Sequence, residues 1–370
     1  MLKIPDTAPQ LSVAAPVTVR RRAPVPPRQR VGPRISRLAV TDAQDSFTQD
    51  EVLELLGMRG DEFAERIFSR CGVRTRKLSL TPDALAKTLQ ERTPSIEDQL
   101  LSQALAAVDA LELGQRDIGT VLTSTLYSLG GPTLAHRLVE HLGMKPDTDK
   151  YHVMGVGCAS AVPLMRLLGQ CLHSHPGQPG LIVAAESMSG ILSSTTPDDP
   201  RAKVVGSAIF GDGCAAALLS DDPGADGPAI TASKVFQIAG TLDAVSLELA
   251  GADIYLRLSR DLPDLAAAGL DQLVGRFLHE HGVDRGEIDH WMVHPGGRRI
   301  IDCVQDALSL SDEDVSVSRD VLARRGNIGT PAIFYVMHET IEQRAPCSGD
   351  RGLVVTIGPG ITVGLMLLQW

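Results

Sequence analysis

The chain has 370 residues, 43% hydrophobic and 22% charged; this suits one large or two fused globular domains and excludes disordered, coiled-coil and collagen-like architectures. Its 45 acidic and 35 basic side chains give a net charge of −10, against the basic footprint that nucleic-acid binding needs. Six cysteines lie scattered without paired spacing, which speaks against a disulfide framework or a zinc site and for reduced thiols in a cytoplasm.

Residues 1–37 hold eight of the basic residues and one acidic one, leaving 27 against 44 on the rest. Proline-rich and carrying the run Arg20, Arg21 and Arg22, this stretch reads as a flexible basic tail. No apolar segment follows the arginines as a secretory signal would require. From residue 38 onward, helical and apolar-run patterns alternate. A short amphipathic helix is expected over 47–56 and a stronger one over 95–111, where Leu100, Leu101, Ala104, Leu105, Val108 and Leu111 recur at helical spacing. Continuous apolar runs at 118–124, 181–185 and 215–219 predict strands buried on both faces. The uncharged run 352–368 approaches bilayer length, but Gly358, Pro359 and Gly360 interrupt it, so two strands joined by a turn fit better than a membrane helix.

Two segments look alike. One starts at Ile209 and contains Gly211-Asp-Gly213; the other starts at Thr356 and contains Gly358-Pro-Gly360. Each reads as strand, tight turn and strand. Upstream of each, an apolar strand (153–158 or 291–294) ends in a reactive residue, Cys158 or His294, and leads to a helix. The symmetry predicts an α/β protein of two duplicated halves, 38–225 and 226–370.

Cys158 follows Gly155-Val-Gly157 and precedes an apolar helical run. A tight turn feeding a helix N-terminus stabilises a thiolate, the nucleophilic form; a small buried hydrophobe is the alternative. His294 ends an apolar strand before Pro295-Gly-Gly297, a place where loops present reactive groups and where a structural histidine would also sit. Asn327 lies between Gly326 and Gly329, just before a helix expected to begin near Pro331; it could equally be a turn or capping asparagine.

Taken together, Gly157-Cys158, Phe210-Gly-Asp-Gly213, His294-Pro-Gly-Gly297, Gly326-Asn327 and Gly358-Pro-Gly360 resemble the type III polyketide synthases, the chalcone-synthase-like branch of the thiolase-fold condensing enzymes. The resemblance covers about residues 38–370. The carrier-protein ketoacyl synthases of the third type share the Cys-His-Asn set but usually carry Gln-Ala-Asn after the histidine, where this chain has Pro295-Gly-Gly297. A single condensation on a carrier protein is therefore the alternative activity.

The resemblance implies a thiolase-like αβαβα layered fold, a homodimer, a cytoplasmic location, and no metal or redox cofactor. The substrates would be malonyl-CoA and an acyl-CoA starter. Cys158 would carry the acyl chain, with His294 stabilising its thiolate. His294 and Asn327 would together hold the enolate left when malonyl-CoA loses CO₂. Phe210 matches an aromatic gatekeeper, and Met188, Ile191 and Leu256 match pocket-lining positions, with Gly296 and Gly297 counted among the substrate contacts. Leu256 stands where a second aromatic is usual, so an aliphatic or malonyl starter is expected. Arg66 and Arg70, four apart on one helix face, would bind the CoA phosphates. Leu367-Leu-Gln-Trp370 and the residues around His294 also resemble the bacterial dihydroxyphenylacetyl-CoA synthase branch, which uses malonyl-CoA alone.

Overall fold

The structure, a computed structural model, describes residues 32–43, 45–113, 117–127, 130–192, 201–250, 253–259 and 261–370, with the side chains of 247–250 and 253–258 outside that set. Two units divide the chain, Met1–Arg30 and Val31–Trp370, and every described residue belongs to the second. Most of the tail expected over 1–37 lies outside the described residues. Its end needs correction, because Arg34 and Arg37 already belong to a strand.

The strands, in chain order, are β1 (Arg34–Asp42), β2 (Ser46–Thr48), β3 (Thr75–Lys77), β4 (Thr120–Ser124), β5 (Asp149–His152), β6 (Gly180–Glu186), β7 (Gly213–Ser220), β8 (Ala229–Gln237), β9 (Val245–Ala250), β10 (Asp253–Leu258), β11 (His290–Val293), β12 (Arg351–Gly358) and β13 (Thr362–Gln369). Nine of them form one sheet in the order β11-β12-β13-β8-β1-β7-β6-β4-β5. Its pairing pattern occurs twice. β4 runs parallel to β6, which is antiparallel to β7, which is antiparallel to β1. Likewise β11 runs parallel to β12, which is antiparallel to β13, which is antiparallel to β8. The two patterns meet where Arg34 pairs with Ala229.

Side-chain alternation along these strands builds the layers. In β6, Ile182 and Ala184 face a cluster formed by the helices Ala161–Cys171 and Pro331–Arg344. Leu181, Val183 and Ala185 face the opposite way, onto the helix Leu89–Asp109. In the other half, Val354, Met366 and Leu368 turn toward the same central helices. Leu353, Val355, Leu365 and Leu367 turn outward onto the helices Leu270–Glu280 and Arg298–Leu308. Five layers result: the two halves of the one sheet enclose the central helices, and each half carries outer helices on its other face. The apolar runs at 181–185 and 215–219 are continuous because helices cover both of their faces, each buried Leu or Val stabilising by roughly 1.5–3 kcal/mol.

Several expected elements shift. The first helix spans Gln49–Leu55, with Phe47 in β2 instead. The long helix begins earlier, at Leu89, because Thr88 and Glu91 form a reciprocal capping box, and it runs through Pro94. No strand occupies 153–158: β5 ends at His152, and positive φ at Gly155 and Gly157 turns the chain. The segment before Gly211-Asp-Gly213 is the helix Arg201–Ile209, whereas Gly358 ends a strand. In the sheet, the counterpart of β11 is β4 rather than the segment leading to Cys158.

Candidate active site

The two central helices begin side by side. Cys158 sits in the 3-10 turn Gly157–Ala159 that feeds the helix Ala161–Cys171, and Asn327 lies just before the helix Pro331–Arg344. Both turns need glycine. A Cβ on Gly157, whose φ is +54°, would stand 2.9 Å from the Pro359 ring, and one on Gly358 would stand 2.6 Å from the Ala159 nitrogen. Removing both side chains lets the Gly358-Pro-Gly360 turn close over the Cys158 turn.

Across that junction Cys158 Sγ lies 3.9 Å from both amide atoms of Asn327. The amide is oriented by two bonds: Oδ1 accepts from Gly329 N–H at 2.9 Å, and Nδ2 donates to the Gly296 carbonyl at 3.2 Å. Gly296 in turn follows His294, whose carbonyl accepts its N–H at 2.9 Å, and the His294 ring is the nearest side chain to Gly296. His294 is buried, and neither ring nitrogen has a hydrogen-bond partner among the described residues. The structure thus gathers Cys158, His294 and Asn327 around Gly296.

Burial sets the electrostatics. It pushes the Cys158 thiol up to about 11, the Asn327 amide opposing the shift, and drives the His294 imidazole down to about 3. Each group alone is neutral at neutral pH, so burial works against the ion pair that the resemblance implies.

The other expected positions separate. Phe210 is buried and pairs with Asn327 in an isolated bridge: Asn327 N–H donates to the Ile209 carbonyl at 2.7 Å, and Gly211 N–H to the Asn327 carbonyl at 3.2 Å. Met188 is buried beside Gly329, where an added Cβ would stand 2.6 Å from its methyl. Ile191 lies farther along the same turn, Met188–Ile191, packed toward the outer helices. Leu256 falls in β10, its side chain outside the described residues. Gly297 caps the helix Arg298–Leu308.

Arg66 and Arg70 lie exposed on the helix Glu62–Arg70, lining a groove of about 900 Å³ with Arg59, Arg74 and Phe68. Arg59 pairs with Asp50 at 3.5 Å; Arg66, Arg70 and Arg74 have no carboxylate partner among the described residues. Just past this helix the Cys71 carbonyl accepts from Arg298 N–H, the first residue of the helix that follows the His294 loop.

Sequence reasoning missed three residues. Thr330 donates to the Gly157 carbonyl at 3.0 Å. Glu186, buried at the end of β6, accepts from Leu126 N–H at 3.1 Å and is pushed up to about 8 by burial. Arg76 is buried under the Phe210–Asn327 bridge. An acidic residue closing an apolar strand was the available signal for Glu186; the basic run 74–77 concealed Arg76. Among the described residues no group of three His, Cys, Asp or Glu is placed to hold a metal, and no helix is long and apolar enough to cross a membrane.

Two solved structures share this architecture. One is a type III polyketide synthase, 1,3,6,8-tetrahydroxynaphthalene synthase from Streptomyces coelicolor A3(2), with TM-score 0.83 and 25% identity, covering 91% of this chain and 99% of that one. The other is PKS-I from the brown alga Ectocarpus siliculosus, with TM-score 0.84 and 26% identity over 92% and 99%. A 3,5-dihydroxyphenylacetyl-CoA synthase of Streptomyces toyocaensis is 27% identical over 98% of this chain and 95% of its own. An alpha-pyrone synthesis polyketide synthase-like protein of Mycobacterium tuberculosis is 28% identical over 88% and 86%. Residues 36–233 match the family model for FAE1/type III polyketide synthase-like proteins, and residues 230–370 match the C-terminal domain of chalcone and stilbene synthases. With thiolase-like layers built twice around Cys158, His294 and Asn327, and both halves matched, the chain belongs to the type III polyketide synthases.

Proposed function

We propose that this enzyme extends a thioester on Cys158 by repeated decarboxylative condensation with malonyl-CoA. The observation that carries the reading is the contact of Cys158 Sγ with the Asn327 amide at 3.9 Å, beside a buried imidazole with both nitrogens available. The thiol gives its proton to His294 as sulfur attacks the starter thioester, and CoA leaves carrying that proton. Malonyl-CoA then loses CO₂, and the electron pair of the broken C–C bond becomes an enolate. Asn327 Nδ2–H and a His294 N–H donate to its oxygen, a stabilisation that buried donors supply at small reorganisation cost. The enolate carbon attacks the Cys158 thioester, the sulfur departs as thiolate, and the longer chain, now a CoA thioester, is reloaded onto Cys158 with release of CoA for another round.

Arg66 and Arg70 hold the CoA phosphates in the groove. Phe210, joined to Asn327 through the backbone, walls the reacting centre on one side. Met188, buried beside Gly329, gives the site an aliphatic wall, which favours an aliphatic or malonyl starter over an aromatic one and a pyrone, resorcinol or dihydroxyphenylacetyl-type product. Residues 34–225 and 226–370 are the two halves, each supplying one central helix and one part of the site. The relatives named above are polyketide synthases, which favours iteration over a single condensation on a carrier protein. We also assign the protein to the cytoplasm as a homodimer.

Mass spectrometry after incubation with malonyl-CoA alone, then with acetyl-, hexanoyl-, longer acyl- and coumaroyl-CoA, tests this. Products heavier by successive ketide units, absent from Cys158→Ala, are expected. An unacylated Cys158 with malonyl-CoA unconsumed overturns the reading, and coumaroyl-CoA outrunning every aliphatic starter overturns the pocket assignment.

A further inference from the structure

Arg76 is fully buried, 0% exposed; among the described residues no carboxylate makes a direct ion pair with it, and Asp212 favours its charge only through space. Nη1 donates to the Ser207 carbonyl at 2.6 Å and the Phe210 carbonyl at 2.9 Å, at the C-terminal end of the helix Arg201–Ile209. Nε and Nη2 have no hydrogen-bond partner among the described residues, and the guanidinium carbon sits 5.7 Å from the Phe68 ring centroid. Its stem lies against Gly326, where a Cβ would stand 3.2 Å from Arg76 Cδ and 2.4 Å from the Ile209 carbonyl oxygen. Arg76 therefore touches both sides of the bridge in which Phe210 meets Asn327.

A buried cation with no carboxylate in direct contact is expensive, and a Met or Leu would fill the same volume at lower cost. What an apolar residue cannot do is hold two carbonyls from one point. The Phe210 carbonyl is one residue from the Ile209 carbonyl that receives Asn327 N–H, so fixing one direction fixes the other. We propose that Arg76 is a positioning residue for the condensation: by holding the Ser207 and Phe210 carbonyls it sets the Phe210–Asn327 bridge, and through it the aim of the Asn327 amide at the thioester oxygen of malonyl-CoA. The proposal rests on the function proposed above. Arg76 touches no substrate and works through Asn327 alone.

The test uses the full chain and its variants Arg76→Lys, Arg76→Gln, Asn327→Ala and Arg76→Lys/Asn327→Ala. CO₂ release from malonyl-CoA, alkylation of Cys158 by iodoacetamide and amide hydrogen exchange at Gly211 and Asn327 are the readouts. Arg76→Lys should lower kcat by about tenfold, with KM and Cys158 alkylation held within about twofold. Both bridge amides should exchange faster. In the Asn327→Ala background the same change should cost less than about twofold, the signature of two residues acting as a unit. An equal loss in both backgrounds, an unchanged kcat, or parallel loss of Cys158 alkylation overturns the proposal. Should the Arg76 variants fail to fold, Phe68→Leu removes the ring beneath the guanidinium and must give the same pattern at smaller amplitude; full activity there overturns it. If the unmodified chain releases no CO₂, the reading of function fails, while unaltered exchange at Gly211 and Asn327 in Arg76→Lys still overturns the positioning role.

Discussion

The Thr330 hydroxyl donates to the Gly157 carbonyl at 3.0 Å, tying the residue before one central helix to the residue before the nucleophile. The two residues come from different halves of the chain, and their bond fixes how the two helix N-termini meet at Cys158 and Asn327. Thr330→Val keeps the shape of this buried side chain and removes the donor. We expect a loss of about 1–2 kcal/mol in urea unfolding, accompanied by slower Cys158 acylation. Unaltered acylation in a measurably destabilised Thr330→Val would show the bond to be structural only.

Two buried groups give the stability profile opposite slopes. His294 is held down to about 3 against an ordinary 6.5, so below pH 6.5 the unfolded chain takes a proton that the folded chain refuses. Stability therefore falls as pH drops from 6.5 toward 3. Glu186 is raised to about 8 from an ordinary 4.5, so the unfolded carboxyl ionises first and stability falls as pH rises from 4.5 toward 8. Melting temperatures across that range should show His294→Gln flattening the acid side and Glu186→Gln the neutral side. Unchanged slopes in both variants would show that other groups control the profile.

Much of this was legible from residue patterns, and the exceptions have physical causes. The runs at 181–185 and 215–219 announced their strands because both faces of β6 and β7 are covered. Cys158, His294 and Asn327 were findable because a glycine stands within two residues of each one, and glycine marks close backbone approach. The same glycines misled over 153–158: Gly155 and Gly157 take positive φ, so the apolar Val153 and Val156 belong to a turn. Arg76 was hidden because arginine next to Lys77 reads as solvated surface, and only the fold carries the helix Arg201–Ile209 over it. The pairing of β4 with β6 and of β11 with β12 had no local signal at all, since parallel partners are far apart in sequence.

Removing the Asn327 amide separates acyl loading from condensation. Its Nδ2 stands 3.9 Å from Cys158 Sγ, and two hydrogen bonds fix the orientation of the amide. Loss of a single oxyanion donor costs about 10²–10³ in kcat. Asn327→Ala should therefore still form the starter adduct on Cys158 by mass spectrometry while malonyl-CoA decarboxylation drops by that order. Equal loss of both steps would assign Asn327 to thiol activation instead.

β5 is the last strand of the sheet order, and exposed apolar side chains lie near it, with Tyr151 at 44%, Met154 at 41% and Leu167 at 42%. An open strand edge beside apolar surface is a pairing template, and the proposed homodimer would cover it. Tyr151→Lys/Leu167→Lys should shift the mass measured by light scattering from two chains toward one, with the circular dichroism spectrum unchanged. A mass of two chains in that variant would place the interface elsewhere.

The arginine groove yields a prediction that distinguishes binding from chemistry. Arg66 and Arg70 are exposed, unpaired among the described residues, and on one face of the helix Glu62–Arg70, outside the Cys158–His294–Asn327 cluster. A phosphate held there is equally bound in ground and transition states, so the contact changes affinity and leaves the chemical step alone. Arg66→Ala/Arg70→Ala should raise the KM for malonyl-CoA by about tenfold, each exposed charge-assisted contact being weaker than a buried one, while kcat stays within about twofold. The same variant should lose much of the salt dependence of KM, because exposed charge pairs are screened over about 8 Å at physiological ionic strength. Malonyl-N-acetylcysteamine, which has the thioester and lacks the nucleotide phosphates, supplies the control. Its turnover should be equal in the unmodified and variant enzymes, and a loss with this truncated substrate would move the two arginines from the phosphates to the reacting centre.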